Sequence, residues 1–155
     1  MSARSDRVRV IEQAEKHVRA GRVKDAIAEY EKLALSDPQD VGTLNIVGDL
    51  YIRLGHNDRA VGFFLKVAEE YERRGLFSQA LAIYKKIHKL NPENVDYTLK
   101  LGDLYIRGAS AAGVPLNEFT APYKQAFFAD LKELRIQPAE HYPAATDHVP
   151  EMIAL

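Results

Sequence analysis

Apolar side chains recur three and four residues apart along most of this chain. Two clear stripes are Ile27, Tyr30, Leu33 and Ala34, and Leu81, Tyr84, Ile87 and Leu90. Residues at this spacing share one face of an α-helix, so each stripe predicts an amphipathic helix. Glycines and the pairs Asp37-Pro38 and Asn91-Pro92 mark where such helices end. The pattern predicts helices near residues 7–19, 23–36, 41–54, 57–73, 76–90 and 95–107.

The chain also repeats itself. The hexapeptide GDLYIR occurs at 48–53 and again at 102–107. Successive shifts of 34, 20 and 34 residues superimpose one order of residue types: a small residue, an aromatic, a glycine at a turn, an alanine and a second aromatic. The small residues that open the four units are Ala14, Gly48, Ala68 and Gly102. They predict close approach of each helix to its partner, and the period favours stacked helical hairpins over an ordinary bundle.

This order resembles the tetratricopeptide repeat over about residues 7–107. One departure is that units two and three lie only 20 residues apart. We therefore expect helix 57–73 to be the second helix of one unit and the first helix of the next. The resemblance implies an all-α, helical-hairpin solenoid whose concave groove, lined by the first helix of each pair, holds a peptide or a helix. It implies a non-catalytic scaffold for a protein or peptide partner, identity unknown.

The predicted groove positions share a charge pattern. An acid is followed four residues later by arginine in every unit, and Asn45 lies on the same predicted face. The pairs are Glu15/Arg19, Asp49/Arg53, Glu69/Arg73 and Asp103/Arg107. They predict either ion pairs that stabilise each helix by about 0.2–0.5 kcal/mol or a charged ladder that recognises a partner, and both can hold together. Capture of a C-terminal carboxylate is not expected, because only Asn45 suits the family's version of that site.

After Arg107 the repeat pattern stops. The sequence GASAAGVPLN predicts a loop, and residues 118–135 predict an amphipathic helix that caps the solenoid by packing on helix 95–107. Its apolar stripe is Phe119, Tyr123, Phe127, Leu131 and Leu134. A proline-punctuated connector and a short final helix near 147–155 are expected to follow. The predicted organisation is a repeat array at 1–107 and a helical tail at 108–155.

The tail resembles cysteinyl-tRNA synthetase over about residues 106–155. The resemblance rests on the stretch from Ile106 to Ile136 and on the run from Pro143 to Leu155, which is similar to the family's Pro-Arg-Ala-Thr-Glu-His-Ile-x-Glu-Met-Ile-x-Leu. Ala144 departs from the family's arginine. The HIGH and KMSKS signatures are absent, so the segment implies a fragment without an active site. We interpret the chain as a chimera, natural or engineered and with or without a selected function, joined near Arg107.

Composition narrows the remaining classes of function. The chain has 155 residues, a formal net charge of −1 and no cysteine, which excludes disulfides and thiolate metal sites. We expect no catalytic residues, no metal, no cofactor and no membrane contact, and a cytoplasmic location. Seven bases against three acids in residues 1–24, with the synthetase-like tail, leave an RNA-associated accessory module as the alternative. We expect a nucleic-acid partner less than a protein partner, because residues 117–155 carry six acids and three bases.

Overall fold

A computed structural model describes residues 3–133, where it contains seven α-helices and no strand. The helices are α1 (Ala3–Arg19), α2 (Val23–Ser36), α3 (Val41–Arg53), α4 (Asn57–Arg73), α5 (Phe77–Leu90), α6 (Val95–Ala112) and α7 (Leu116–Glu133). The predicted all-α class and the helices up to α5 are confirmed with small changes at their ends. The predicted helix near 147–155 lies outside the described residues, as do the side chains of Phe127, Leu131 and Leu134.

Glycines in the left-handed backbone conformation end helices at the turns, as the sequence predicts. At the end of α3, Gly55 has a φ of 75°, and the amide of His56 donates to the carbonyl of Tyr51 over 3.0 Å. A residue with a Cβ is strained at that φ, so glycine is the natural stop for the helix. At the start of α3, Asp40 caps the helix by accepting from the amide of Gly42 over 3.1 Å and from the Thr43 hydroxyl over 2.5 Å.

The loop predicted from Gly108 onward is wrong in its first half. Helix α6 continues through Ala112 and ends at Gly113, whose φ is 67°. The alanines between these glycines are strong helix formers, and Gly108 is buried under the ring of Phe119. The physical reason for the extension is therefore the packing of Phe119 on Gly108, which lies six residues after Gly102, the small residue that the repeat predicts for this contact.

Small residues do allow close helix contacts, although one of the four predicted positions is wrong. Ala14 and Ala68 are fully buried. At Gly48 an added Cβ would come within 2.5 Å of the Phe64 ring, so only glycine leaves room for that contact. Gly102 is exposed and has nothing within 4 Å of such a Cβ. Because α6 is longer than predicted, the close contact moves to Gly108.

The helices form two layers. Each helix from α1 to α6 packs against the next one in the chain, while ion pairs join alternate helices. Asp49 of α3 binds Lys86 of α5, and Glu72 of α4 binds Lys100 and Arg107 of α6. Among α1 to α6, the odd-numbered helices thus form one layer and the even-numbered helices the other. Helix α4 packs on both α3 and α5, as α2, α3 and α5 also pack on both of their neighbours, so its sharing by two units stays a prediction.

The chain divides into two compact units, residues 1–119 and 120–155. The first unit contains α1 to α6 and the first turn of α7. The described part of the second unit is the remainder of α7, which contains Pro122. The sequence-based division at residue 107 concerns ancestry, and both that division and the capping role of the tail stay predictions.

Candidate partner-binding site

The nine predicted groove residues are divided between the two layers. Five lie on α1 and α3 of the odd layer: Glu15, Arg19, Asn45, Asp49 and Arg53. Four lie on α4 and α6 of the even layer: Glu69, Arg73, Asp103 and Arg107. The division follows from the predicted 20-residue step between units two and three, which assigns α4 and α6 of the even layer as the first helices of units three and four.

Two of the four predicted ion pairs form within their helices. Glu15 accepts from Arg19 over 3.2 Å on α1, and both side chains are exposed. Asp103 and Arg107 approach to 3.5 Å on α6, but Arg107 makes a shorter contact of 2.8 Å with Glu72. An exposed pair such as Glu15–Arg19 contributes little to stability, so these two residues stay available to a partner at small cost, whereas Arg107 is engaged with Glu72.

Helix α3 departs from the predicted pairing. Lys86 donates to Asp49 over 2.5 Å, and its ammonium lies 4.1 Å from the centroid of the Phe64 ring. Asp49 of α3 is therefore paired with Lys86 of α5 and not with Arg53. Arg53 is exposed and has no ion-pair partner among residues 3–133. Along the same side of α3, the buried Oδ1 of Asn45 has no hydrogen-bond partner in the described part of the chain.

The arginine predicted to pair with Glu69 instead binds a neighbouring carboxylate that the sequence analysis missed. Arg73 donates twice to Glu70, over 2.8 and 2.6 Å, and Arg74 donates to it over 2.6 Å. These bonds, those from Arg73 above all, lower the pKa of Glu70 to about 2. Arg74 also reaches the carbonyl of Gln39 over 3.2 Å. Glu70 lies three and four residues before the two arginines, a spacing that could have identified the cluster.

Charges on α4 and α6 are likewise engaged within the fold. The carboxylate of Glu72, whose side chain is 11% exposed, accepts from Arg107 over 2.8 Å and from Lys100 over 3.0 Å. Burial, together with the nearby carboxylates of Glu72 and Glu69, raises the pKa of the Tyr84 phenol. Arg107 and Lys100 therefore join α6 to α4, whereas the bonds of Arg73 stay within α4. On α3, Asn45 and Arg53 present polar groups that these contacts leave unused.

Other kinds of site find no support in the described residues. Across 3–133 there is no cluster of three or more histidine or carboxylate side chains placed to hold a metal ion. Within the same range, none of the helices combines the length and the apolar character needed to cross a membrane.

Comparison with known proteins confirms the repeat. Residues 11–72 match the family model for the tetratricopeptide repeat. A solution NMR structure of a tetratricopeptide repeat domain protein from Salinibacter ruber is similar in fold, with a TM-score of 0.50 and 24% sequence identity. The alignment covers 60% of this chain and 94% of that one. Residues 11–72 are therefore a tetratricopeptide repeat region within an all-α helical repeat fold.

The chain is also partly similar to cysteine–tRNA ligases. It is 62% identical to the ligase of Protochlamydia amoebophila over 53 residues, which are 34% of this chain and 11% of that protein. It is 40% identical to the ligase of Leptospira interrogans over 74 residues, which are 46% of this chain and 16% of that protein. The chain thus spans less than a fifth of the length of these relatives. The resemblance is confirmed as a partial similarity, and the fusion stays a prediction.

Proposed function

We propose that this chain is a non-catalytic scaffold that binds a peptide along α3, at Asn45 and Arg53. The observation that carries the proposal is the pairing of Asp49 with Lys86, because it leaves the Arg53 guanidinium without an ionic partner. Glu15 and Arg19 lie on α1, in the same layer as α3. The tetratricopeptide fold supports the proposal, since stacked helical hairpins present extended binding surfaces.

The chemistry of these groups favours an acidic peptide in an extended conformation. An asparagine side chain carries an acceptor and two donors; the Oδ1 of Asn45 is buried, so its NH₂ group is the part that can donate to the C=O of a peptide backbone. An arginine binds a carboxylate through two parallel N–H donors. Asn45 and Arg53 lie eight residues apart on one helix, which separates them by about 12 Å. The partner should therefore carry a carboxylate about four residues from the backbone group that Asn45 binds.

Peptide selection with matched variants tests this proposal. Peptides selected by phage display on the full chain are titrated, with fluorescence anisotropy as the readout, against Asn45→Ala, Arg53→Ala and the control Lys32→Ala, which alters an exposed side chain of α2. We expect binding to weaken about tenfold for Arg53→Ala, equal to about 1.4 kcal/mol, and to stay unchanged for the control. If every selected peptide binds Arg53→Ala as tightly as the unmodified chain, the proposed surface is wrong.

The similarity to cysteine–tRNA ligases supports a second candidate, an RNA-associated accessory module. Binding through the basic residues 1–24 should weaken steeply with salt, because each neutralised phosphate releases counterions. Filter binding of tRNA to the full chain across a salt series measures that slope. Absence of binding at low salt would eliminate this candidate and leave the peptide-binding proposal untouched.

A further inference from the structure

A valley runs between α2 and α4 in the even layer, with Leu44 and Tyr51 of α3 as its floor. Two adjoining clefts lie along it and share Glu31. The apolar cleft has a volume of about 270 Å³ and is lined by Leu35, Pro38, Leu44, Phe63 and Lys66, among others. The basic cleft has a volume of about 230 Å³, and its lining includes Lys24, Ala28, His56 and Arg59.

The apolar cleft has fixed walls and one conspicuous exposed side chain. Leu35, one residue before the end of α2, is 82% exposed. Opposite it, the ring of Phe63 is stacked on that of Tyr51 with centroids 5.7 Å apart. A rigid aromatic wall beside an exposed leucine is typical of a surface that receives an apolar side chain from a partner.

The charge of the valley is positive. Lys24, Arg59 and Lys66 line the two clefts, and the Lys66 ammonium lies 5.3 Å from the centroid of the Phe63 ring. Glu31 is the one acid among the described lining residues, and it already accepts from the Tyr51 hydroxyl over 2.7 Å. A partner that fits this surface must therefore supply both an apolar side chain and negative charge.

We propose that the valley binds an acidic amphipathic helix of a protein partner. One apolar side chain of that helix enters the cleft at Leu35, and its carboxylates meet Arg59 and Lys24. Ala28 and Leu35 lie seven residues apart on α2, which places the clefts about 10 Å, or about two helical turns, from each other. The apolar residue and the acids of the partner therefore share one face. The valley lies on the layer opposite Asn45 and Arg53, so it is a second interaction surface beyond the proposed function.

A designed probe tests the valley on the full chain. The probe is a fluorescein-labelled, alanine-based helical peptide with a leucine and, about two turns away, a pair of glutamates, made in both orders along the peptide. The control peptide has lysines in place of the glutamates. Binding is measured by fluorescence anisotropy for the unmodified chain and for Leu35→Ser, Arg59→Ala and Arg53→Ala, which alter exposed side chains.

We expect one glutamate peptide to bind, the lysine peptide to fail, and Leu35→Ser and Arg59→Ala each to weaken binding about tenfold. Arg53→Ala should leave the affinity unchanged, which separates this surface from the one on α3. The inference is overturned if neither glutamate peptide binds, if the lysine peptide binds as well, or if Leu35→Ser has no effect. An equal loss with Arg53→Ala would also overturn it, because the peptide would then be bound on the other layer.

Discussion

The two copies of GDLYIR should respond in opposite directions to one substitution. Replacing Gly48 with alanine places a Cβ 2.5 Å from one ring carbon of Phe64 and 2.7 Å from the next. Phe64 is fully buried and has the Lys86 ammonium on its ring, so it has little room to move. Replacing Gly102 with alanine adds a methyl group with nothing within 4 Å. We expect Gly48→Ala to destabilise the protein relative to Gly102→Ala.

The magnitude follows from terms that the two sites share and terms that they do not. Alanine gains about 1 kcal/mol over glycine in a helix interior, and this gain is common to both copies because each glycine lies inside a helix and is followed by the same five residues. Overpacking in a filled core costs about 1–3 kcal/mol, and only Gly48→Ala incurs it. The difference between the two free energies of unfolding should therefore be about 1–3 kcal/mol. Gly102→Ala alone should stabilise the chain by up to about 1 kcal/mol.

Urea unfolding followed by far-ultraviolet circular dichroism measures both values, since the described fold is helical. The double variant Gly48→Ala/Phe64→Leu is the matched control, because a smaller side chain opposite residue 48 should relieve part of the loss. Equal changes at the two glycines, or a stabilising effect of Gly48→Ala, would refute the assignment of Phe64 as the side chain that requires glycine.

Three further changes test other parts of the structure by the same unfolding assay. The pKa of Glu70 lies below its ordinary value of 4.5, at about 2, so its carboxylate stabilises the fold above pH 4.5 and loses that effect as the pH falls towards 2. Glu70→Gln should therefore lower the urea midpoint at neutral pH, and the difference from the unmodified chain should shrink on acidification. A difference that persists at pH 2 would contradict this. Asp40→Ala should cost about 0.5–2 kcal/mol through loss of the cap of α3, in addition to the ion pair with Arg7; Asp40→Asn loses the ion pair but keeps a capping oxygen, so it should cost less in both the unmodified chain and an Arg7→Ala background, and equal losses in that background would count against a capping role. A chain that ends at Arg107 should unfold at lower urea than the full chain because it lacks the packing of Phe119 on Gly108, and unchanged midpoints would mark the tail as dispensable for the fold.

Most of the fold could be predicted from local signals. The turn glycines and the apolar stripes determine where each helix of the array lies, because both depend on residues close in sequence. The extension of α6 could not be predicted in this way. It depends on contact of Gly108 with Phe119, eleven residues later, and the repeat pattern, which would have predicted a turn after Arg107, conceals it.

The candidate site shows the same limit. Spacing alone pairs Asp49 with Arg53, whereas the structure pairs Asp49 with Lys86, 37 residues away. Spacing also pairs Glu69 with Arg73, whereas in the structure Arg73 binds the more buried Glu70. The first outcome is decided by the charge that a neighbouring helix presents, which the sequence of α3 alone does not show. The second is decided within α4, where spacing permits either acid and burial favours Glu70.

The unequal spacing of the units explains why the predicted groove divides. A shift of 34 residues spans two helices, so Ala14 of α1 and Gly48 of α3 come to lie in the same layer. A shift of 20 residues spans one helix, so Ala68 of α4 lies in the opposite layer. The predicted sharing of α4 between two units thus assigns the later first helices to the other layer. The two surfaces that we propose also lie on different layers, with Asn45 and Arg53 on one and the valley between α2 and α4 on the other, so that one partner need not exclude the second.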